Sequence, residues 1–539
     1  MELILPKARA KFATHKTDTI TSVMLIVLSS LIFFITAITL VALKIYQPGI
    51  RYAWLIAFGG TILALTSVLI WQAQMDFALA IHFWQPVELF TNPIAFRADG
   101  LNWPYAVSLS ALALSVLLTA VVNPNFSDTF TWAGTLALSG LGLLAVTADN
   151  PVTLLLVWSA LDLTELISQL RAVEGPSNSE KVVIAFSTRV LGIGLLIWAN
   201  VVSVSSGNSF DFISMPAGAG LYLVAAAGLR MGVLPLHLPY SSESNLRRGF
   251  GTSLRLVSAA SSLALLSHIP TTSLASPLVP FLLIPALAAA IYGGWMWLRA
   301  PDELTGRPYL IISLAALSVA SALSGNSAGS VAWGCSLILI GGSLFLTSIQ
   351  NVWLNRALLV GAFSISTLPF SLTASAWVNN PGFFFPFIVI TQALTMAGYV
   401  RHALRSSGRD SLDVQPTWTR TVYPFGIGLL VFMQILLGLT GWNGARQIGS
   451  WLPAIIASFL TFGLLWATPR FRIFNPVRAH WAGPSQNQGP SPYAFLWGIY
   501  RFISQLSKTI TVTLEGDGGL MWTLLFLVLF VSLMTQGGL

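Results

Sequence analysis

The chain has 539 residues, of which 55% are hydrophobic and 9% charged, and a formal net charge of +8. Its mean hydropathy is +0.75, and an ordinary soluble domain carries about 25% charged residues, so the composition excludes a soluble globular enzyme. The one cysteine, Cys335, lies in an apolar run and excludes an internal disulfide or a cysteine-held cluster.

Apolar runs recur from end to end. In chain order they are Ile20–Leu43, Trp54–Ile70, Val107–Val122, Ala133–Val146, Val152–Leu170, Val182–Val204, Leu221–Val233 and Leu254–Leu266. The second half continues with Phe281–Trp297, Leu310–Leu323, Val331–Leu346, Ala357–Trp377, Phe384–Val400, Val422–Gly438, Ile455–Trp466 and Leu520–Leu533. A spanning helix needs about 20 apolar residues, so the chain is predicted to be all-α and polytopic, with about 14–16 transmembrane helices. An open sheet cannot satisfy its backbone in lipid, and the runs lack the apolar/polar alternation of a membrane barrel.

The N-terminus carries Lys7, Arg9, Lys11 and Lys16 ahead of a run too long for a signal peptide, which reads as a retained first helix. Positive-inside bias places that tail in the cytoplasm. Further basic residues cluster at Arg401–Arg409 and Arg470–Arg478, at helix ends, which suits anionic headgroups better than nucleic acid. Segment 490–539 opens on Pro490-Ser-Pro492, and Tyr493–Ile510 reads either as an amphipathic surface helix or as a tilted span before the final transmembrane helix. Tryptophans such as Trp295, Trp297, Trp442 and Trp451 read as interfacial belt residues. Gly341-Gly342 and the Ser/Gly/Ala-rich stretch Ser313–Ser330 read as close helix packing. Six scattered histidines show no metal-ligand spacing, and no Gly-rich phosphate loop precedes a helix. No catalytic residue, cofactor or metal site is expected on this chain; redox groups and quinone would be reached only through other subunits.

Charge at membrane depth is confined mainly to Asn150–Arg255. Leu161-Asp-Leu-Thr-Glu165 sets Asp162 and Glu165 three residues apart on one helical face, with Ser159 a turn earlier. The next run holds Arg189, and Gly228–Pro239 holds Arg230 just before two prolines that break the segment. His237 sits in that break and Arg255 follows in the next run. An arginine at the bilayer centre costs at least about 2.5 kcal/mol and marks an ion pathway by default. The residues alone leave two readings open, a transport path or buried acid–arginine pairs that only satisfy one another.

Several blocks, in order, resemble the antiporter-like membrane subunits of respiratory complex I (NADH:quinone oxidoreductase), of Mrp-type cation/proton antiporters and of membrane-bound hydrogenases. They are Arg97-Ala-Asp-Gly-Leu101, Asp149-Asn-Pro-Val-Thr-Leu-Leu-Leu-Val-Trp158, Thr188-Arg-Val190, Gly228–Pro239, Leu368-Pro-Phe370, Ala393–Arg401 and Leu514–Leu520. The resemblance implies one integral membrane domain over 1–539, built on two inverted five-helix repeats near 102–269 and 277–401, each with a discontinuous helix. It also implies a bacterial plasma-membrane location and partnership with other membrane subunits of a multi-subunit complex.

The departures bear on mechanism. Ser159 follows Trp158 where the family has its channel glutamate, so Asp162 or Glu165 would replace it from one or two turns away. Arg230 stands at the family's central lysine, and guanidinium does not deprotonate. Arg255 and Leu256 occupy the neighbourhood of the family's eighth-helix histidine. Between Pro308 and Val400 the only charged side chain is that of Arg356. The expected pathway residues are therefore Asp162, Glu165, Arg189, Arg230, His237 and Arg255, in a proton- or cation-translocating, non-catalytic subunit. Two alternatives are a non-pumping scaffold that keeps the fold and a membrane partner of an inorganic-carbon uptake complex.

Overall fold

The computed structural model describes residues 5–47, 52–81, 92–122, 129–172, 176–209, 211–238, 248–349, 351–377, 382–405, 411–442, 449, 451–468 and 470. The chain divides into two compact units, Met1–Val477 and Arg478–Leu539. The second unit, and with it the 490–539 segment and the Leu520–Leu533 span, lies outside the described residues.

Each of the other apolar runs contains one α-helix, the run Ala357–Trp377 being α-helical only as far as Ser364. The first half comprises α1 (Leu5–Tyr46), α2 (Ala53–Ile70), α3 (Asn102–Thr119), α4 (Thr129–Val146), α5 (Pro151–Ala172), α6 (Pro176–Ser205), α7 (Ala219–Arg230) and α8 (Phe250–Ser267). The second comprises α9 (Val279–Arg299), α10 (Glu303–Leu323), α11 (Ser327–Leu346), α12 (Val352–Ser364), α13 (Phe385–Ala403), α14 (Thr417–Thr440) and α15 (Trp451–Ala467). Among the described residues, twelve segments are long and apolar enough to cross a membrane, and α7, α12 and α15 are shorter apolar helices. The protein is an integral, multi-pass membrane protein.

Helix ends follow the polar residues between runs. Asp99 caps the start of α3 through the backbone N–H groups of Leu101 and Asn102, and Asn150 caps α5 through that of Thr153. Asp302 and Asn326 do the same for α10 and α11.

One element departs from the all-helical expectation. A hairpin of β1 (Phe77–Ile81) and β2 (Ile94–Ala98) pairs antiparallel, with Phe77 opposite Ala98. Five-residue strands are too short to show a period against so apolar a background. The hairpin ties to the α4–α5 turn: Arg97 N–H donates to the Thr147 carbonyl, Asp149 N–H to that of Ala95, and the Asn150 amide to that of Pro93. Beside it, Arg97 and Asp149 lie 3.8 Å apart at about one-third exposure. Burial pushes the Asp149 carboxyl up and Arg97 opposes that shift.

The bundle is built around α8 and α11, both wholly buried, with α3 and α10 nearly so. α8 touches α3, α4, α5, α7, α10 and α11, which puts its polar face at the centre. Gly342 permits close packing as its sequence suggests, since a Cβ there would sit 2.8 Å from Leu112 and 3.1 Å from Leu430. Trp297 and Trp442 are not belt residues: both are buried, and the Trp297 ring lies 4.2 Å from that of His402, tilted by 40°. Composition cannot distinguish a tryptophan at the headgroups from one in the core.

Candidate ion-pathway site

α7 runs only 12 residues before its backbone breaks into turns at Met231–Leu236. Pro235 cannot continue the ladder, and Gly232 takes a positive φ of 72°. Arg230 is therefore the last residue of α7, where a cation faces the carbonyl end of the helix dipole.

Around Arg230 the bundle forms a fitted cradle. Its two terminal nitrogens donate to the two carboxylate oxygens of Asp162 at 2.6 and 2.7 Å. Nε donates to Ser262 Oγ of α8 at 3.1 Å, and one terminal nitrogen also reaches the Arg189 carbonyl at 3.4 Å. The guanidinium lies 4.1 Å over the Trp158 ring, a cation–π contact that gains strength away from water. On α6, Gly192 makes room for the stem, since a Cβ there would sit 2.8 Å from Arg230 Cγ. A lysine could supply neither the two-pronged contact nor the planar stack.

The second acid has its own arginine. Arg189 of α6 donates to Glu165 Oε1 at 2.5 Å and also pairs with Glu165 Oε2. Gln169, one turn on, donates to Glu165 Oε1 at 2.8 Å. All four charged residues are at most 2% exposed. Three elements thus bring together two carboxylates and two arginines, and Arg230 touches the backbone of Arg189, so the two pairs adjoin.

Four of the six residues singled out in the sequence meet here: Asp162, Glu165, Arg189 and Arg230. Arg255 is buried on α8, two turns before Ser262. His237 stays apart; its Nδ1–H donates to the Pro235 carbonyl at 2.8 Å, capping the break. Ser159 donates back to Leu155 in its own helix. Trp158, Gln169, Gly192 and Ser262 were not anticipated. Helical spacing carries a signal for two of them, since Trp158 lies one turn before Asp162 and Gln169 one turn after Glu165.

The second break has no charge. α12 ends at Ser364, and Thr367 and Phe370 take positive φ of 58° and 65°. Hydroxyls and amides replace the lost helical bonds. Thr373 Oγ1 donates to the Ser364 carbonyl at 2.8 Å and accepts from Thr367 N–H at 3.1 Å. Gln392 of α13 donates to the Ile365 carbonyl, Ser364 donates to Gln434 of α14, and Asn326 donates to the Ser375 and Ala376 carbonyls. Arg356 is exposed, on the first turns of α12.

A third group of charges sits where α8 and α10 begin. Arg248 pairs with Glu303 at 2.7 Å, and Arg307 donates to Thr252 at 3.1 Å. Among the described residues, no cluster of His, Cys, Asp and Glu could hold a metal ion.

No protein-family profile and no curated relative matches the sequence. Solved structures do. A chain of the Mrp complex from Dietzia sp. aligns over 95% of this chain at 15% identity with a TM-score of 0.70. This chain spans 63% of the length of that Mrp chain. The membrane-bound sulfane sulfur reductase, an archaeal respiratory membrane complex, contains a chain that aligns over 93% of this one and 99% of its own length, at 13% identity and a TM-score of 0.63. A chain of respiratory complex I from Thermus thermophilus aligns over 76% of this chain and 98% of its own, at 16% identity and a TM-score of 0.57. The overall likeness and the ordered sequence blocks agree: this chain has the fold of the antiporter-like membrane subunits.

Proposed function

We propose that the chain is a membrane subunit of a complex I-like or Mrp-like assembly, and that it moves protons or cations through its first half on the carboxylates Asp162 and Glu165. The observation that carries this reading is the quartet of buried charges beside a broken helix. Replacing a buried ion pair by apolar residues is often neutral or stabilising, so stability alone gives little reason for two such pairs. An intramembrane acid beside a helix break has the form of an ion site.

In this mechanism the arginines are fixed charges and the acids titrate. Protonation of one carboxylate frees its arginine to turn towards the other, and the adjoining pairs make that exchange short. Other membrane subunits supply the driving force, with any quinone or redox module reached through them, and a bacterial plasma membrane suits this role.

The test is proton flux into liposomes holding the purified chain with its native partners, read with a pH-sensitive dye. Asp162→Asn and Glu165→Gln should each lower flux by at least about a hundredfold, the scale of a lost proton-transfer group. Flux unchanged in both variants would remove the pathway.

A second reading is favoured by the completeness of the pairing. Two acids fully engaged by two arginines, with a neutral second break, also describe a closed pore in a spacer subunit. That reading requires no flux in the parent assembly through this chain and loss of assembly in Arg230→Ala.

A further inference from the structure

The two half-helices end in opposite electrostatic states. α7 finishes on its own cation, Arg230, whereas the last turn of α12 has no basic residue. The carbonyl end of a helix carries roughly half an elementary negative charge, which favours a cation. At the end of α12 lies Gln392, wholly buried. Its Nε2 donates to the carbonyl of Ile365, the residue that caps α12, at 2.9 Å and to Thr367 Oγ1 at 3.1 Å. A carbonyl can only accept, so the amide orientation is settled. Gln392 Oε1 then has no donor among the described residues, and the buried Ser371 Oγ in the same break has no partner among them either.

We propose that the α12 break binds a small alkali cation, held by Gln392 Oε1 at the carbonyl end of α12. Neutral oxygen ligands suit hard monovalent ions, while divalent ions call for carboxylates, of which Pro308–Val400 has none. An anion would meet the wrong end of the helix. The first break thus carries a tethered cation and the second takes a mobile one. This proposal is independent of the carboxylate pathway of the first half.

The experiment uses the purified full-length chain in mild detergent. Its thermal unfolding midpoint is titrated with sodium or potassium chloride against choline chloride at constant ionic strength. A ligand that binds only the folded state raises the midpoint saturably, so a saturable rise with sodium, potassium or both, absent with choline, is expected. Gln392→Leu should abolish the rise, and Gln392→Glu should lower the half-saturating concentration by about tenfold through its added charge. Equal midpoints in choline and both alkali salts would overturn the proposal and assign the site to water. So would a rise that survives Gln392→Leu. If that variant does not fold, an unshifted half-saturation in Gln392→Glu overturns it instead.

Discussion

The breaks in α7 and α12 solve one problem with different chemistry. Each leaves buried backbone groups without helical partners, and each must be repaired inside the bundle. At the first break, turn hydrogen bonds within Gly228–His237 and the His237 ring meet the freed backbone groups, and beside them lie four buried charges whose electrostatic cost is met by pairing. At the second, backbone turns are joined by neutral side chains of Ser, Thr, Asn and Gln, with no charge beside them. The lesson is one of fragility. A charged cluster beside a break fails when a single partner is lost, because the survivor is a bare charge in low dielectric, whereas a neutral network loses only one hydrogen bond at a time.

That contrast can be broken or sharpened by substitution, read as thermal unfolding of the purified chain. The largest effect belongs to Arg230→Leu, which strands Asp162 and should cost about 3–5 kcal/mol. Combining it with Asp162→Leu should recover most of that loss; a double variant as unstable as the single one would show that the charge itself is not the cause. Arg230→Lys keeps the charge but loses the fork and the stack over Trp158, and should cost about 1–3 kcal/mol. Gly192→Ala pushes a methyl group against the Arg230 stem and should cost a similar ~1–3 kcal/mol by overpacking. At the neutral break, Asn326→Ala removes the α11 cap and two bonds to the following turn, for about 1–2 kcal/mol. Thr373→Val should cost least there, about 1 kcal/mol. A Thr373→Val loss as large as that of Arg230→Leu would erase the distinction between the two repairs.

Much of the architecture was legible in the residues. Apolar runs locate helices because every spanning backbone must satisfy itself, and α7 and α12 were visible through the prolines and the Leu368-Pro-Phe370 block. The short hairpin Phe77–Ile81 with Ile94–Ala98 was not, since strands of that length leave no periodic signature. At the site, Asp162, Glu165, Arg189 and Arg230 were named from charge alone, because charge in an apolar run is conspicuous. Which acid takes which arginine was beyond reach: residues 162 and 165 share a face, and only the azimuth of α6 and α7 around α5 decides between them. Gly192 and Ser262 were hidden for the opposite reason. They are common residues in membrane helices, and their role depends on the arginine that happens to lie beside them.

The distribution of the quartet over α5, α6 and α7 also bears on how the chain enters the bilayer. α5 carries Asp162 and Glu165 and reaches the membrane before either arginine does. An acid at the centre of a lone helix costs about 2.5–3.5 kcal/mol on insertion scales, so α5 by itself is a poor candidate for lateral release into lipid. Arg189 follows one connection later on α6 and neutralises Glu165, while Asp162 must wait for Arg230 at the end of the 12-residue α7. The three segments are thus expected to leave the insertion machinery as a group, and truncation after α5 should yield a segment retained there or exposed to water.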